Sequence, residues 1–272
     1  MTSIRPADPA GTGEHDRSRS VLVVCTANIC RSPLAEGLLQ VQVDDLDLAV
    51  GSAGTRALVG HPPIPESVDY LRRRTGLTLT HRGRQMTSQL ILGSGVVLTM
   101  TERQRAEVVR LVPGALRRVF TLRQFVRLAP HLPEGTSYQG VDELAEAAAR
   151  CRALAGPPEP GDDDIVDPYG GSPEMYEHSF ALIARATSRA ADVLRSRLRC
   201  PAAKPTPPAR WSPRDSATPA MHRRAGRIRR ARQGGGAWRP ISGAGRGAPA
   251  RWTWPSSPCS SPSRCGPRSP RP

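Results

Sequence analysis

The sequence predicts an α/β fold: a parallel sheet covered on both faces by helices. Three observations carry this. Short apolar, β-branched runs alternate with longer stretches whose apolar residues recur every three or four positions. Alternation of that kind builds βαβ units and hence a parallel sheet. One of the runs ends in Cys25, and after five intervening residues Arg31 and Ser32 open a helical pattern.

The elements follow in order. SVLVVC (20–25), LDLAVGSAG (46–54), GVVLTM (95–100) and RRVFTL (117–122) read as strands. Between them SPLAEGLLQVQV (32–43), PESVDYLRRRTG (65–76) and TERQRAEVVRLV (101–112) read as helices. VDELAEAAARCRALAG (141–156) reads as an amphipathic helix closing on Gly156, and residues 172–198 as a long terminal helix begun by Ser172 and Pro173. The loop between these two, GPPEPGDDDIVDPYGG, is rich in Pro, Gly and Asp, and Asp162, Asp163 and Asp164 read as a solvated acidic run.

Charge divides the chain. Lys and Arg total 39 and Asp and Glu 24, yet from Cys200 onward 15 basic residues face the single acid Asp215, so the preceding body is nearly neutral. That tail holds all four tryptophans and 14 of the 28 prolines, without apolar periodicity. Such a segment buries too little apolar surface to offset the entropy of ordering it. The expected organisation is a disordered segment over 1–19, one domain over 20–199 and a disordered basic tail over 200–272. An Arg-rich tail could grip nucleic acid. Its Arg, Pro, Gly, Ala and Ser composition equally resembles GC-rich DNA read in an unselected frame, which makes nucleic acid an unlikely partner and confines it to the tail.

No run of about 18 apolar residues occurs, so no membrane-spanning helix is expected. The polar N-terminus has no apolar signal region. Six cysteines are scattered without paired spacing, which fits a soluble protein of the reducing cytoplasm. The six histidines show no metal-ligand spacing.

The loop from Cys25 to Ser32 suits phosphate chemistry. Successive backbone N–H groups between a strand and a helix curl into an anion-binding nest, and the helix N-terminus adds partial positive charge. Arg31 can clamp two phosphate oxygens, and the same positive field favours a thiolate at Cys25. Ser32 could donate to the sulfur, and Asn28 could hold the loop through its side chain. A buried structural cysteine at a tight turn is the alternative that the residues alone leave open. The tail supplies a control: Cys265 and Arg271 share the spacing, but Pro267 and Pro270 lack the N–H groups a cradle requires. A phosphoryl mechanism also needs an acid for the leaving oxygen. Asp167, before Pro168 in DIVDPYGG, is the candidate; an ordinary Asp-Pro turn is its alternative.

These residues resemble a known family. VLVVCTANICRSPLAE is similar to the active-site loop of the low-molecular-weight protein tyrosine phosphatases, and DPY (167–169) to their general-acid loop. GSAGT (51–55), HRGRQMT (81–87) and VVLTMTERQ (96–104) agree as well, so the resemblance spans roughly residues 20 to 199. It implies a three-layer fold with a four-stranded parallel sheet and a two-step mechanism that needs no metal or other cofactor. Cys25 would attack phosphorus, Arg31 and the loop of Thr26, Ala27, Asn28, Ile29 and Cys30 would bind the phosphoryl oxygens, and Asp167 would act as acid and then base. The implied substrate is protein phosphotyrosine or another aryl phosphate, and the implied partner a phosphotyrosine-containing protein; a tyrosine kinase of a polysaccharide-export system would fit.

Departures refine the expectation. Ala27 replaces the frequent Gly, which requires a negative φ. Leu58 stands about where several members place an aromatic wall, leaving Tyr169 as one wall of the substrate pocket. Ile29 stands where the family's arginine phosphatases resemble one another in carrying Thr, which favours an aryl phosphate. Cys30 could trap Cys25 as a protective disulfide or be a small buried residue. Two rivals are weighed. An arsenate reductase on the same fold needs relay cysteines near the end of the third strand, and residues 96–110 contain none. A phosphate-binding module without catalysis needs no Asp167.

Overall fold

The computed structural model describes residues 3–4 and 17–199. Four parallel strands form the central sheet in the order β3–β2–β5–β6: β2 Ser20–Cys25, β3 Ala49–Gly54, β5 Val96–Thr99 and β6 Val119–Thr121. Seven α-helices connect and follow them: α1 Arg31–Gln42, α2 Pro65–Thr75, α3 Ser88–Leu92, α4 Glu102–Leu111, α5 Leu122–Leu128, α6 Val141–Arg150 and α7 Pro173–Arg197. A separate two-stranded parallel pair joins β1 Ser3–Ile4 to β4 Thr78–Leu79.

Strand side chains alternate between faces, and the core divides accordingly. Val21, Val23 and Cys25 of β2 pack in one cluster with Leu34 and Leu38 of α1, Leu71 of α2, Phe125 of α5, Leu144 of α6 and Phe180 of α7. Leu22 and Val24 pack on the opposite side with Ile91 of α3 and Val108 of α4. The result is the expected three-layer arrangement around a four-stranded parallel sheet. β2 is central, with every residue buried, because both of its faces carry helices.

Most expected boundaries hold to within one or two residues; the strand expected from Leu46 begins only at Ala49, after a 3₁₀ turn over Asp44–Leu46, and the other exceptions have physical causes. The helix expected over 141–156 ends at Arg150. At Cys151 the backbone bond shifts to Ala148 O, a tighter turn follows, and Gly156 takes a left-handed φ of 67° while its carbonyl accepts from Arg127 Nη1. The strand expected over 117–122 is only three residues long, because the hydroxyl of Thr121 accepts from Gln124 N and starts α5 there. The acidic run is not solvated throughout. Asp163 is buried and holds Arg127 bidentately at 2.8 and 3.1 Å, and Asp164 Oδ1 accepts from Glu102 N at 2.8 Å.

Within the segment expected over 1–19, Arg17–Arg19 form a 3₁₀ turn, and Arg17 pairs with Asp142. Residues 1–2, 5–16 and the tail 200–272 lie outside the described residues. Among the described residues no helix is long and apolar enough to cross a membrane, no His, Cys, Asp and Glu cluster could hold a metal, and Cys25, Cys30 and Cys151 are free.

Candidate active site

Sheet order reverses at β2, which has β3 on one side and β5 on the other. A crevice forms beyond the carboxyl ends of the strands at such a point. Cys25, the last residue of β2, sits at its floor.

The loop from Cys25 to Arg31 is shaped by what surrounds it. Each of its carbonyls is taken from outside: Cys25 O by Thr55 N, Thr26 O by Arg56 N, Ala27 O by Leu58 N, Ile29 O by Ile64 N and Cys30 O by Ser67 Oγ, at 2.8 to 3.2 Å. His81 Nε2 donates to Asn28 O at 3.1 Å. With the carbonyls drawn outward, the amides are left for the interior. The N–H groups of Ala27, Ile29 and Cys30 meet no acceptor among the described residues. Such converging donors form a nest for an anion.

Asn28 is the loop's inner strut. It adopts a left-handed φ of 58°, which Asn tolerates better than most residues, and its side chain is fully buried. Asn28 Nδ2 donates to Ser32 Oγ at 2.9 Å and to Ser52 Oγ at 2.8 Å, while Oδ1 accepts from Arg84 N at 2.9 Å. These donations fix the two hydroxyl protons. Ser52 directs its own to Glu36 Oε2 at 2.5 Å, and Ser32 directs its own to Cys25 Sγ at 2.9 Å. Asn28 N also points at the sulfur, 3.3 Å away. Two donors aimed at one sulfur suit a thiolate. Ala27 lies outside the left-handed region, as its side chain requires.

Arg31 reaches over this nest from the first turn of α1. Its side chain is 3% exposed; Nη1 donates to Ile165 O at 3.0 Å, and Nη2 pairs with Asp167. Its Nε finds no partner among the described residues, so a buried donor remains for a ligand. Asp167 is half exposed, and its Oδ1 accepts from Tyr169 N at 3.3 Å. The loop carrying it is fastened through Ile165, whose N–H bonds Met100 O at 2.8 Å at the end of β5. A cavity of about 300 Å³ opens between Thr26, Arg31, Gln104, Ile165 and Asp167.

The structure therefore brings together Cys25, Thr26, Ala27, Asn28, Ile29, Cys30, Arg31, Ser32 and Asp167. Tyr169 is attached through the Asp167 contact but stands largely exposed, as does Leu58. Cys30 is buried beside Ser67, and burial pushes its thiol up to about 12. Sequence reasoning missed Glu36, Ser52 and His81 as supports of the loop. His81 also places Nδ1 3.4 Å from Glu36 Oε2, closing the circuit. Ser52 and His81 fall inside GSAGT and HRGRQMT, stretches visible in the sequence without a role attached.

Fold and site define a cysteine-based phosphatase class. A family model described as "Low molecular weight phosphotyrosine protein phosphatase" matches residues 20–155. The "Probable low molecular weight protein-tyrosine-phosphatase EpsP" of Ralstonia nicotianae is 31% identical over 145 residues, half of this chain and 98% of that protein. The low molecular weight protein-tyrosine-phosphatase Etp of Escherichia coli K12 is 27% identical over 169 residues, covering 62% of this chain and 89% of Etp. Among solved structures, the YwlE arginine phosphatase from Geobacillus stearothermophilus superposes with a TM-score of 0.50 at 28% identity, over 65% of this chain and 94% of that one. The chain belongs to the low molecular weight phosphotyrosine protein phosphatase family, and it is a phosphatase.

Proposed function

We propose that this protein hydrolyses phosphotyrosine in a protein substrate through a cysteinyl-phosphate intermediate, with Cys25, Arg31 and Asp167 as its catalytic residues. The observation that carries the reading is the outward capture of the loop carbonyls, which leaves amides and Arg31 Nε around a sulfur that receives two hydrogen bonds.

Cys25 Sγ attacks phosphorus in line and displaces the phenolate oxygen. The amides of residues 26 to 31 and the Arg31 guanidinium meet the equatorial oxygens, where preorganised donors supply most of the stabilisation. Asp167 protonates the leaving oxygen. It then takes a proton from the water that cleaves the S–P bond, releasing phosphate and restoring the thiolate. Ser32 Oγ stabilises the sulfur as it leaves. Asp167 lies beyond the residues that the family model matches, and what supports its role is its contact with Arg31 across the cavity.

Tyr169, held beside Asp167 through its N–H, would supply one wall for an aromatic ring. Ile29 in place of Thr favours an aryl phosphate over phosphoarginine. Free cysteines and the lack of a spanning helix among the described residues support a cytoplasmic location. A tyrosine kinase would be a suitable substrate.

The test is p-nitrophenyl phosphate hydrolysis by the full chain in EDTA beside Cys25→Ser, followed by phosphotyrosine and phosphoarginine peptides. Metal-independent turnover lost in the variant and faster on phosphotyrosine is the expected result. A folded, inert wild type, or a preference for phosphoarginine, would reject the proposal.

A further inference from the structure

A second cavity, of about 520 Å³, lies beside the catalytic one and is lined by Thr55, Arg56, Arg103, Ala106, Glu107 and Arg110. Arg56, Arg103 and Glu107 also line the catalytic cavity, so the two share a wall. The wall comes from two elements. Arg56 follows β3 in the loop whose N–H holds Thr26 O, and Arg103, Glu107 and Arg110 occupy one face of α4 at spacings of four and three.

Charge at this wall is unbalanced. Glu107 Oε1 lies 3.5 Å from Arg56 Nη2 and 3.6 Å from Arg103 Nε, so one carboxylate serves two guanidiniums. Arg110 has no ion-pair partner among the described residues. Arg56 and Arg103 are 63% and 77% exposed, which leaves most of their N–H donors turned outward. Three guanidiniums against one carboxylate give the cavity net positive charge. Glu107 sets the spacing between Arg56 and Arg103 without neutralising them.

An extended chain advances about 3.3 Å per residue. A peptide whose phosphorylated side chain enters the catalytic cavity therefore passes over the shared wall within a few residues. We infer that this second cavity is a specificity subsite for an anionic side chain neighbouring the phosphorylated residue of the substrate, read by Arg56, Arg103 and Arg110. The inference rests on the phosphopeptide reading above. The anion is either an Asp or Glu carboxylate or a second phosphoryl group; guanidinium forks bind both in the same way.

The experiment compares kcat/KM for three phosphotyrosine peptides, flanked by Asp, by Ala or by a second phosphotyrosine, each relative to the same protein's p-nitrophenyl phosphate turnover. Exposed charge pairs are individually weak, so two of them give an advantage of about three- to five-fold at low ionic strength, falling with added salt. Faster turnover of the Asp peptide, the doubly phosphorylated peptide or both supports the subsite and names its source. Arg110→Glu, which sets two guanidiniums against two carboxylates, should cancel the advantage while p-nitrophenyl phosphate turnover persists, a selective change that loss of structure would not produce. Arg56→Ala should reduce the advantage without cancelling it. Equal turnover of acidic and neutral peptides by wild type, or an unchanged ratio in both variants, overturns the inference. Absent Cys25-dependent turnover of p-nitrophenyl phosphate would instead overturn the reading beneath it.

Discussion

Arg31 and Asp167, 136 residues apart in the chain, meet as an ion pair across the mouth of the cavity. In the free protein the arginine proposed to receive phosphate is thus already holding the carboxylate proposed to serve the leaving group. A phosphoryl group entering the nest competes with Asp167 for Arg31 Nη2 while Nε stands ready. Under the proposed mechanism, the event that binds the substrate also releases Asp167 toward the leaving oxygen.

Asp167→Asn separates these roles. General acid catalysis contributes about 10²–10⁴-fold, and most where the leaving group is poor. The variant should lose about that factor in kcat/KM on phenyl phosphate and much less on p-nitrophenyl phosphate. Freed from its carboxylate, Arg31 should bind inorganic phosphate more tightly, measured as a lower inhibition constant. Equal losses in kcat/KM on both esters would remove Asp167 from protonation of the leaving oxygen.

Asn28→Ala removes three side-chain hydrogen bonds and places Ala in a left-handed conformation. Buried bonds contribute about 1 kcal/mol each, and the conformation costs about 1–2 kcal/mol more for a residue without Asn's polar side chain. Urea denaturation should show a loss of about 4–5 kcal/mol, with Asn28→Gly losing less because glycine accepts the backbone. Both variants should lose activity, since the two serine protons would no longer be directed.

Gly54→Ala tests the fit of the loop against β3. A Cβ there would lie 2.5 Å from Thr26 O and 3.0 Å from Asn28 Cβ, so the neighbouring backbone must move. Overpacking of this kind costs about 1–3 kcal/mol. The expected result is lower stability together with a larger KM for phosphate esters. An unchanged KM would show that the loop can shift without losing its nest.

The Cys30 thiol, raised from the ordinary 9.0 to about 12, makes stability depend on alkaline pH. Burial is the main cause, and it opposes the charged form; the nearby Ser67 hydroxyl offsets part of it. Below pH 9.0 both folded and unfolded chains keep this proton, so the contribution is fully present. As pH rises from 9.0 toward 12 the unfolded thiol ionises first, and folding stability falls. Cys151, raised in the same direction by burial, adds to the effect. The urea midpoint should drop over this window and drop less in Cys30→Ala. Iodoacetamide should leave Cys30 unmodified in the native protein near neutral pH and modify it after unfolding.

Much of this architecture was legible in the residues. β2 ends at Cys25 as the run SVLVVC implies, since an unbroken apolar strand signals burial on both faces. α7 starts where Ser172 and Pro173 place it, the hydroxyl accepting from Met175 N. α5 and α3 were hidden because seven and five residues are too few for periodicity to declare itself. The support of the loop was hidden for another reason. Glu36, Ser52 and His81 lie on α1, on β3 and after β4, and only the closed fold brings them around Asn28. Likewise Asp163 appeared solvated because its partner Arg127 is 36 residues away in the chain.

The fastening of Ile165 to the end of β5 and to Arg31 bears on the economy of turnover. An acid loop tethered to the sheet arrives in position with the fold, whereas a swinging lid must be ordered again at each encounter. Substrate binding is then relieved of the entropy of closing such a lid. The tether also limits reach: a leaving group displaced by more than a bond length or two from the tyrosyl oxygen would find no proton waiting. Under the proposed mechanism, selectivity among phosphate esters thus begins in the two hydrogen bonds that hold the Asp167 loop at Ile165.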